Sequence, residues 1–214
     1  MPAVFFDLDN TLYDVEQYFS GAFHDVAEYL SRKYQMSETD IHDELMDLWK
    51  TKTSMYPHIF DVLLDNIGVD GELEGVVGLF NSYDFKIKPY PDVIPALEEL
   101  KREKHVMGLI TDGNTDRQKR KIRSSGLIDF FDVVIYTKEI GNPKPSEIPF
   151  IKAMSAVSAD PQDSHYIGDN PIIDFIGAKI AGMKTVRIIR GEFRHCPTNE
   201  YIDYEIETLE GWKP

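Results

Sequence analysis

The chain has 214 residues, 42% of them hydrophobic and 28% charged, with a formal net charge of −14. That length suits one large domain, or a core domain carrying a smaller insert, and the acidic balance argues against nonspecific binding to nucleic acid or anionic membrane, both driven by basic surface. No apolar run approaches the roughly 18 residues of a membrane span, and the single cysteine, Cys196, excludes an internal disulfide and a thiolate metal cage.

The first predicted element is a strand over residues 3–6, entered without a basic leader. A secretory signal is therefore not expected, and the cytoplasm is the expected compartment. The strand runs into Asp7 and Asp9, two residues apart. On an extended chain such side chains point the same way. Two carboxylates at one spot repel unless a cation or a shared proton lies between them.

From about residue 15 to residue 86 no buried strand is predicted. Amphipathic helical stretches stand there instead, "YFSGAFHDVAEYLSRKY" and "SETDIHDELMDLWK", the second opening on Ser37 as N-cap. Beyond the "KPYPDV" turn, strands are predicted over 106–110, 133–136, 165–167 and 185–189, all β-rich runs bounded by polar residues or Gly. Helices are predicted between them over 91–103, 114–125, 147–157 and 171–181, and "DYEIETLEGW" suggests a last edge strand and a short helix. Strand and helix in alternation predict an α/β fold, a doubly wound parallel sheet with an all-helical insert after its first strand. The predicted boundaries are 1–14 and 87–214 for the core and 15–86 for the insert.

Such sheets bind ligands at the C-terminal ends of their strands. Asp7, Thr111 and Asp169 fall at or just beyond those ends. "LITDGN" runs into a helix, so Thr111 and the backbone N–H groups of Asp112 and Gly113 make an anion site near a helix N-terminus. "GNPKP" places Lys144 in a proline-stiffened turn, and "YIGDNPIID" carries Asp169 and Asp174. Acidic groups around a small volume, with one lysine and one hydroxyl, fit Mg²⁺ beside a phosphate. An aspartate nucleophile would form an acyl phosphate, and a second carboxyl two residues on would protonate the leaving oxygen and then activate water.

Taken together and in this order, "DLDNT", "TDG", "NPKP" and "GDNPIID" resemble the haloacid dehalogenase-like hydrolase superfamily. The likeness is to its phosphoglycolate phosphatase-like and nucleotidase-like branch, which has a Rossmann-like core and a small helical cap. The resemblance implies that Asp7 is the nucleophile and a metal ligand. It makes Asp9 the general acid/base, ligating the metal through its backbone carbonyl. Thr111 would bond the phosphoryl group, Lys144 would neutralise it, and Asp169 would complete the protein's share of the Mg²⁺ shell. Asp174, with Asn170, would serve behind that shell or as an alternate ligand. Asn10 and Thr11 would shape the turn after the nucleophile, with backbone N–H groups facing the phosphate. The family's dehalogenases lack the second aspartate, since halide leaves without a proton, so Asp9 favours a phosphatase. Where the family often has asparagine after the threonine, this chain has Asp112, whose carboxylate is expected to point away from the phosphate.

Plainer readings apply elsewhere. A helix–loop–helix calcium site beginning at Asp7 would need Gly at position 12 and Glu at position 18, where Leu12 and Tyr18 stand. The basic run "DRQKRKIRSSG" reads as a solvated helix face capped by Gly126, with Arg117 the one member in reach of an anionic substrate. His24 and His42 lack metal-ligand spacing, and Tyr13, Tyr18, Phe19 and Phe23 read mainly as core, with Tyr13 and Tyr18 near a hinge. The expectation is a cytoplasmic Mg²⁺-dependent phosphatase of a small phosphorylated metabolite, monomer or homodimer, with no nucleic acid or membrane partner. A sugar phosphomutase of the same superfamily and a noncatalytic phosphate-binding module are the alternatives.

Overall fold

The computed structural model describes residues 2–84 and 86–214. The chain divides into two compact units, one of residues 1–14 with 86–214 and the other of residues 15–85.

The larger unit is built on a six-stranded sheet in the order β3-β2-β1-β4-β5-β6, parallel throughout. Its strands are β1 (Ala3–Phe6), β2 (Val106–Thr111), β3 (Val133–Tyr136), β4 (Ser164–Gly168), β5 (Lys184–Ile188) and β6 (Tyr204–Ile206). The run Ala3, Val4, Phe5, Phe6 is apolar without alternation because β1 lies between β2 and β4 and is buried on both faces. Phe6 pairs with Leu109 on one side and Ile167 on the other. This register sets the ends of the three strands side by side, and Asp7 N–H extends the pairing by donating to the Ile167 carbonyl at 2.9 Å.

Among the described residues four α-helices accompany the sheet: α5 (Val93–Arg102), α6 (Thr115–Ser124), α7 (Ile148–Ala156) and α8 (Phe175–Ile180). Phe150 and Met154 of α7 and Phe175 and Ala178 of α8 join Phe5, Ile110 and Tyr166 of the sheet in one buried cluster. The predicted strands and helices are all present, with two corrections. Helix α8 starts at Phe175 rather than at residue 171, because the intervening loop is held by side chains: Ile172 N–H donates to Asn170 Oδ1 and Asn170 N–H to Asp174 Oδ2, both at 2.9 Å. The segment after β6 forms turns, not the short helix expected there.

The second unit is all helical: α1 (Glu16–Tyr34), α2 (Glu38–Lys52), α3 (Ile59–Ile67) and α4 (Leu73–Ser82). Ser37 does cap α2, its side chain accepting from Asp40 N–H at 3.3 Å. The core is aromatic. Phe80 meets the rings of Tyr18, Phe19, Phe23 and Phe60 at 5.3–5.7 Å, and Phe19 stacks on Trp49 at 4.9 Å. Tyr18 is thus a core residue, its hydroxyl donating to the Phe80 carbonyl. Among the described residues no helix is long and apolar enough to cross a membrane.

Candidate active site

Where β1 ends, the backbone turns sharply. Asn10 adopts a left-handed conformation, φ 56°, which Asn tolerates better than most residues. Its side chain is buried against Gly191, where a Cβ would stand 2.8 Å from Asn10 Oδ1. Gly191 itself has φ 68°, so both the backbone and the close approach demand glycine.

Asp7 and Asp9 leave this turn toward different partners. Asp7 Oδ1 accepts from Lys144 Nζ at 2.6 Å, and the same ammonium reaches Asp174 Oδ1 at 2.7 Å and the Tyr166 hydroxyl at 3.1 Å. Lys144, Asp7 and Asp174 are all buried. Asp169, one residue beyond β4, completes a group with Asp7 and Asp174 whose ligand oxygens lie within 4.8 Å of one another. Three buried carboxylates therefore face one buried ammonium. Burial pushes the Asp7 carboxyl up to about 8 against the opposing charge of Lys144, with Asp174 and Asp9 adding to the rise. Asp169 is raised well above the carboxylate range, first by burial and then by Asp174 and Asp7. Burial alone would lower Lys144, but the charges of Asp174 and Asp7 outweigh it and hold the amine protonated.

Asp9 sits in a second arrangement. Its Oδ1 accepts from Lys121 Nζ at 2.8 Å and from the Tyr13 hydroxyl, and its Oδ2 from Gln118 Nε2 at 3.0 Å. Burial works to raise Asp9, yet the Lys121 charge and these hydrogen bonds prevail and bring it below its ordinary value. Burial likewise lowers Lys121, to about 8, in spite of Asp9. Each of the two carboxylates thus has its own lysine, Asp7 with Lys144 and Asp9 with Lys121.

Thr111 ends β2, and its Oγ1 accepts from the same Gln118 amide at 2.6 Å. Asp112 and Gly113 lead into α6, whose N-cap Asn114 accepts from Arg117 N–H at 3.1 Å. The Asp112 carboxylate turns to the segment before α7, accepting from Thr137 Oγ1 and from Lys144 N–H. Asn170 holds Asp174 through its backbone N–H while its side-chain oxygen receives Ile172 N–H.

The structure corrects the reading of α6 as a solvated face. Gln118 and Lys121 are 1% and 3% exposed, with Ile122 and Ser125 also buried. These four positions share one side of a helix, and the basic run offers only Ile122 as an apolar residue for it. That shortage is the signal that polar side chains had to turn inward. Gln118, Lys121 and Tyr166 join the candidate site although motif reasoning missed them, and Tyr13, buried as expected of a core residue, also places its hydroxyl on Asp9.

A metal fits this donor set. The clustered side chains of Asp7, Asp169 and Asp174 all offer carboxylate oxygens, the preference of a hard cation, and Asp169 Oδ2 is buried without a hydrogen-bond partner among the described residues. A buried carboxyl oxygen without a partner is costly unless a cation or a donor meets it.

The sequence profile of the haloacid dehalogenase-like hydrolases matches residues 4–188. The chain is 35% identical over 215 residues to a glyceraldehyde 3-phosphate phosphatase of Methanopyrus kandleri, covering 96% of this chain and 92% of that protein. It is 33% identical over 213 residues to the protein so named in Pyrococcus furiosus, covering 96% and 89%. A crystal structure of a HAD phosphatase from Thermococcus onnurineus superposes with a TM-score of 0.71 at 28% identity, covering 98% of this chain and 95% of that one. With its carboxylates, lysine and threonine at the ends of a parallel sheet, and with these relatives along nearly its whole length, the chain belongs to the haloacid dehalogenase-like hydrolase family.

Proposed function

We propose that this protein is a Mg²⁺-dependent phosphatase that hydrolyses a small phosphomonoester through a phosphorylated Asp7. The observation that carries the reading is the division of labour between the two aspartates: Asp7 lies among carboxylates beside Lys144, whereas Asp9 is held apart by Lys121, Gln118 and Tyr13. These separate settings support a reading in which one carboxylate attacks and the other moves a proton.

In the first half, an Asp7 oxygen bonds to phosphorus and the ester P–O bond breaks. Its electron pair stays with the leaving oxygen, which takes a proton from Asp9; that carboxyl enters this half in the protonated form in which the second half leaves it, against the pull of Lys121 toward the ionised form. In the second half, water yields a proton to Asp9 and attacks phosphorus, and the bond to Asp7 breaks. Lys144 neutralises the phosphoryl oxygens, and the Thr111 hydroxyl with the N–H groups of Asp112 and Gly113 binds them. Asp7, Asp169 and the Asp9 carbonyl would hold Mg²⁺, with Asp174 and Asn170 supporting, and the bound ion supplies positive charge to the transferring group.

The unit of residues 15–85 is inserted soon after Asp9 in the chain, the place for a cap that excludes water and selects the leaving group. The name these relatives carry makes a triose phosphate the first ester to test. We take the enzyme to act in the cytoplasm as a monomer or homodimer.

The test is phosphate release from glyceraldehyde 3-phosphate, phosphoglycolate, hexose phosphates and nucleoside monophosphates, with Mg²⁺ or with EDTA. Release should require Mg²⁺, vanish in Asp7→Asn and fall at least about 100-fold in Asp9→Asn. Full turnover by Asp7→Asn would overturn the nucleophile assignment, and an isomerised ester without free phosphate would identify a mutase instead.

A further inference from the structure

Lys121 is a buried charge outside the four motifs. It projects from α6, its ammonium lies 2.8 Å from Asp9 Oδ1 and 5.8 Å from the ring centre of Tyr13, and it is 3% exposed. A lysine so buried loses its hydration and its side-chain freedom, and a surface position would serve solubility better. Its neighbour one turn earlier, Gln118, is equally buried and divides its amide between Asp9 Oδ2 at 3.0 Å and Thr111 Oγ1 at 2.6 Å.

We infer that Lys121, with Gln118 and Tyr13, is a positioning residue that fixes Asp9 as an oriented carboxylate for the second half-reaction, the hydrolysis of phospho-Asp7. Both Asp9 oxygens receive donors: the Lys121 ammonium and the Tyr13 hydroxyl on Oδ1, the Gln118 amide on Oδ2. A carboxylate accepts on both oxygens, and donors on each fix its torsions. The Gln118 amide carries the constraint across to Thr111, so the acceptor of the water proton and the hydroxyl that holds the phosphoryl group are set by one side chain. When water attacks, its proton passes to Asp9, the new P–O bond forms and the bond from phosphorus to Asp7 breaks. Lys121 takes no proton and touches no reacting atom in this account.

The inference rests on the phosphatase reading, and its test separates the two. p-Nitrophenyl phosphate loses nitrophenolate without needing a proton, so the first half-reaction on this ester proceeds with little help from Asp9. For a two-step reaction kcat/KM reports the steps up to phosphorylation of Asp7, whereas kcat also includes its hydrolysis. In Lys121→Met, kcat and KM should fall together by roughly 30-fold, within the range a proton-transfer group contributes, while kcat/KM changes less than about threefold. Acid quenching should trap more phosphoenzyme in the variant than in the wild type, and a burst of nitrophenolate should precede the slow phase. Lys121→Arg, which keeps the charge, should recover most of kcat. Lys121→Gln, which keeps a donor and spares the fold a buried cation, should lie between Lys121→Met and the wild type in kcat. Loss of kcat/KM in parallel with kcat in both neutral variants, with no phosphoenzyme gained, would overturn the inference and leave Lys121 a structural ion pair. Wild-type protein that releases no phosphate from any ester would overturn the phosphatase reading itself, and this inference with it.

Discussion

Gly177 of α8 leaves no room for a side chain against Ser146: a Cβ there would stand 2.6 Å from the Ser146 carbonyl oxygen and would also strike that of Pro145. The two carbonyls belong to the turn that follows Lys144. Helix α8 thus packs directly on the backbone that aims the lysine at Asp7 and Asp174.

Replacing Gly177 with Ala should force the turn and α8 apart. Overpacking of this kind costs about 1–3 kcal/mol. A displacement of the Lys144 turn by even a fraction of an ångström should lower kcat about tenfold or more. Urea unfolding and steady-state kinetics on the same preparation check both. Normal stability with normal kcat would show that the contact relaxes at no expense to the lysine.

Lys144 makes a sharper case. Its ammonium is the nearest cation to Asp7 and Asp174, at 2.6 and 2.7 Å. Lys144→Met would leave those carboxylates buried beside Asp169 without it. Removing one partner of a buried ion pair costs about 3–5 kcal/mol. Mg²⁺ should restore part of the loss by supplying positive charge at the same carboxylates, so the difference between wild type and variant should narrow when EDTA is exchanged for Mg²⁺. Thermal melts in the two conditions measure this, and a gap that Mg²⁺ leaves unchanged would place the ion elsewhere. Turnover should fall at least about 100-fold, as expected when a donor to developing charge is lost.

At the other end of β4, His165 should contribute to the decline of stability in acid. It is buried, with its ring 5.6 Å from that of Trp212. Burial, helped by Lys184 and His105 and opposed by Asp203, lowers it to about 4. An unfolded histidine titrates near 6.5. As pH falls from about 6.5 to about 4, the unfolded chain takes up a proton that the folded one refuses, so stability drops across this window and the penalty is complete below it. His165→Gln should remove that part of the decline, up to about 2 kcal/mol at pH 4.5 relative to its own value at pH 7.5. Urea midpoints at the two pH values decide, and parallel declines in both proteins would acquit His165.

Much of this was legible because the relevant rules are local. The apolar run before Asp7 could only be a strand buried on both faces, and Ser37 announced the start of α2. The parallel sheet then brought Asp7, Thr111 and Asp169 to one edge, since their strands end in register. What stayed hidden depends on long-range pairing. Asp9 and Lys121 are 112 residues apart, and Gln118 is 109 from Asp9. No spacing rule joins them. The inward face of α6 was concealed by its charge, and only the want of apolar residues along that face hinted at it. Helix α8 begins late because Asp174 is engaged with Asn170 and Lys144, a competition that propensity does not register.

Arg190 and Asp92 form another such long-range pair, and it bears on the loop that carries the aspartates. Arg190 Nη1 lies 3.0 Å from both Asp92 oxygens, its Nη2 donates to the Thr11 carbonyl, and its guanidinium stacks 4.1 Å from the ring centre of Tyr90. Asp92 Oδ2 also accepts from Thr208 Oγ1 at 3.0 Å and Leu209 N–H at 2.8 Å. One ion pair thus ties the turn after Asn10, the returning segment before α5 and the C-terminal segment together. Arg190→Met should destabilise by about 3 kcal/mol, because Asp92 loses its cation while still largely buried. Arg190→Lys should recover only part of this, since an ammonium cannot stack and fork as a guanidinium does. In a cycle of Arg190→Met, Asp92→Asn and the double variant, the coupling should exceed about 1 kcal/mol. Arg190→Met should also lower kcat/KM, because the Thr11 carbonyl loses the tie that steadies the turn after Asp9. Additive unfolding energies would reduce the pair to two independent packing contacts and detach the C-terminal segment from the catalytic loop.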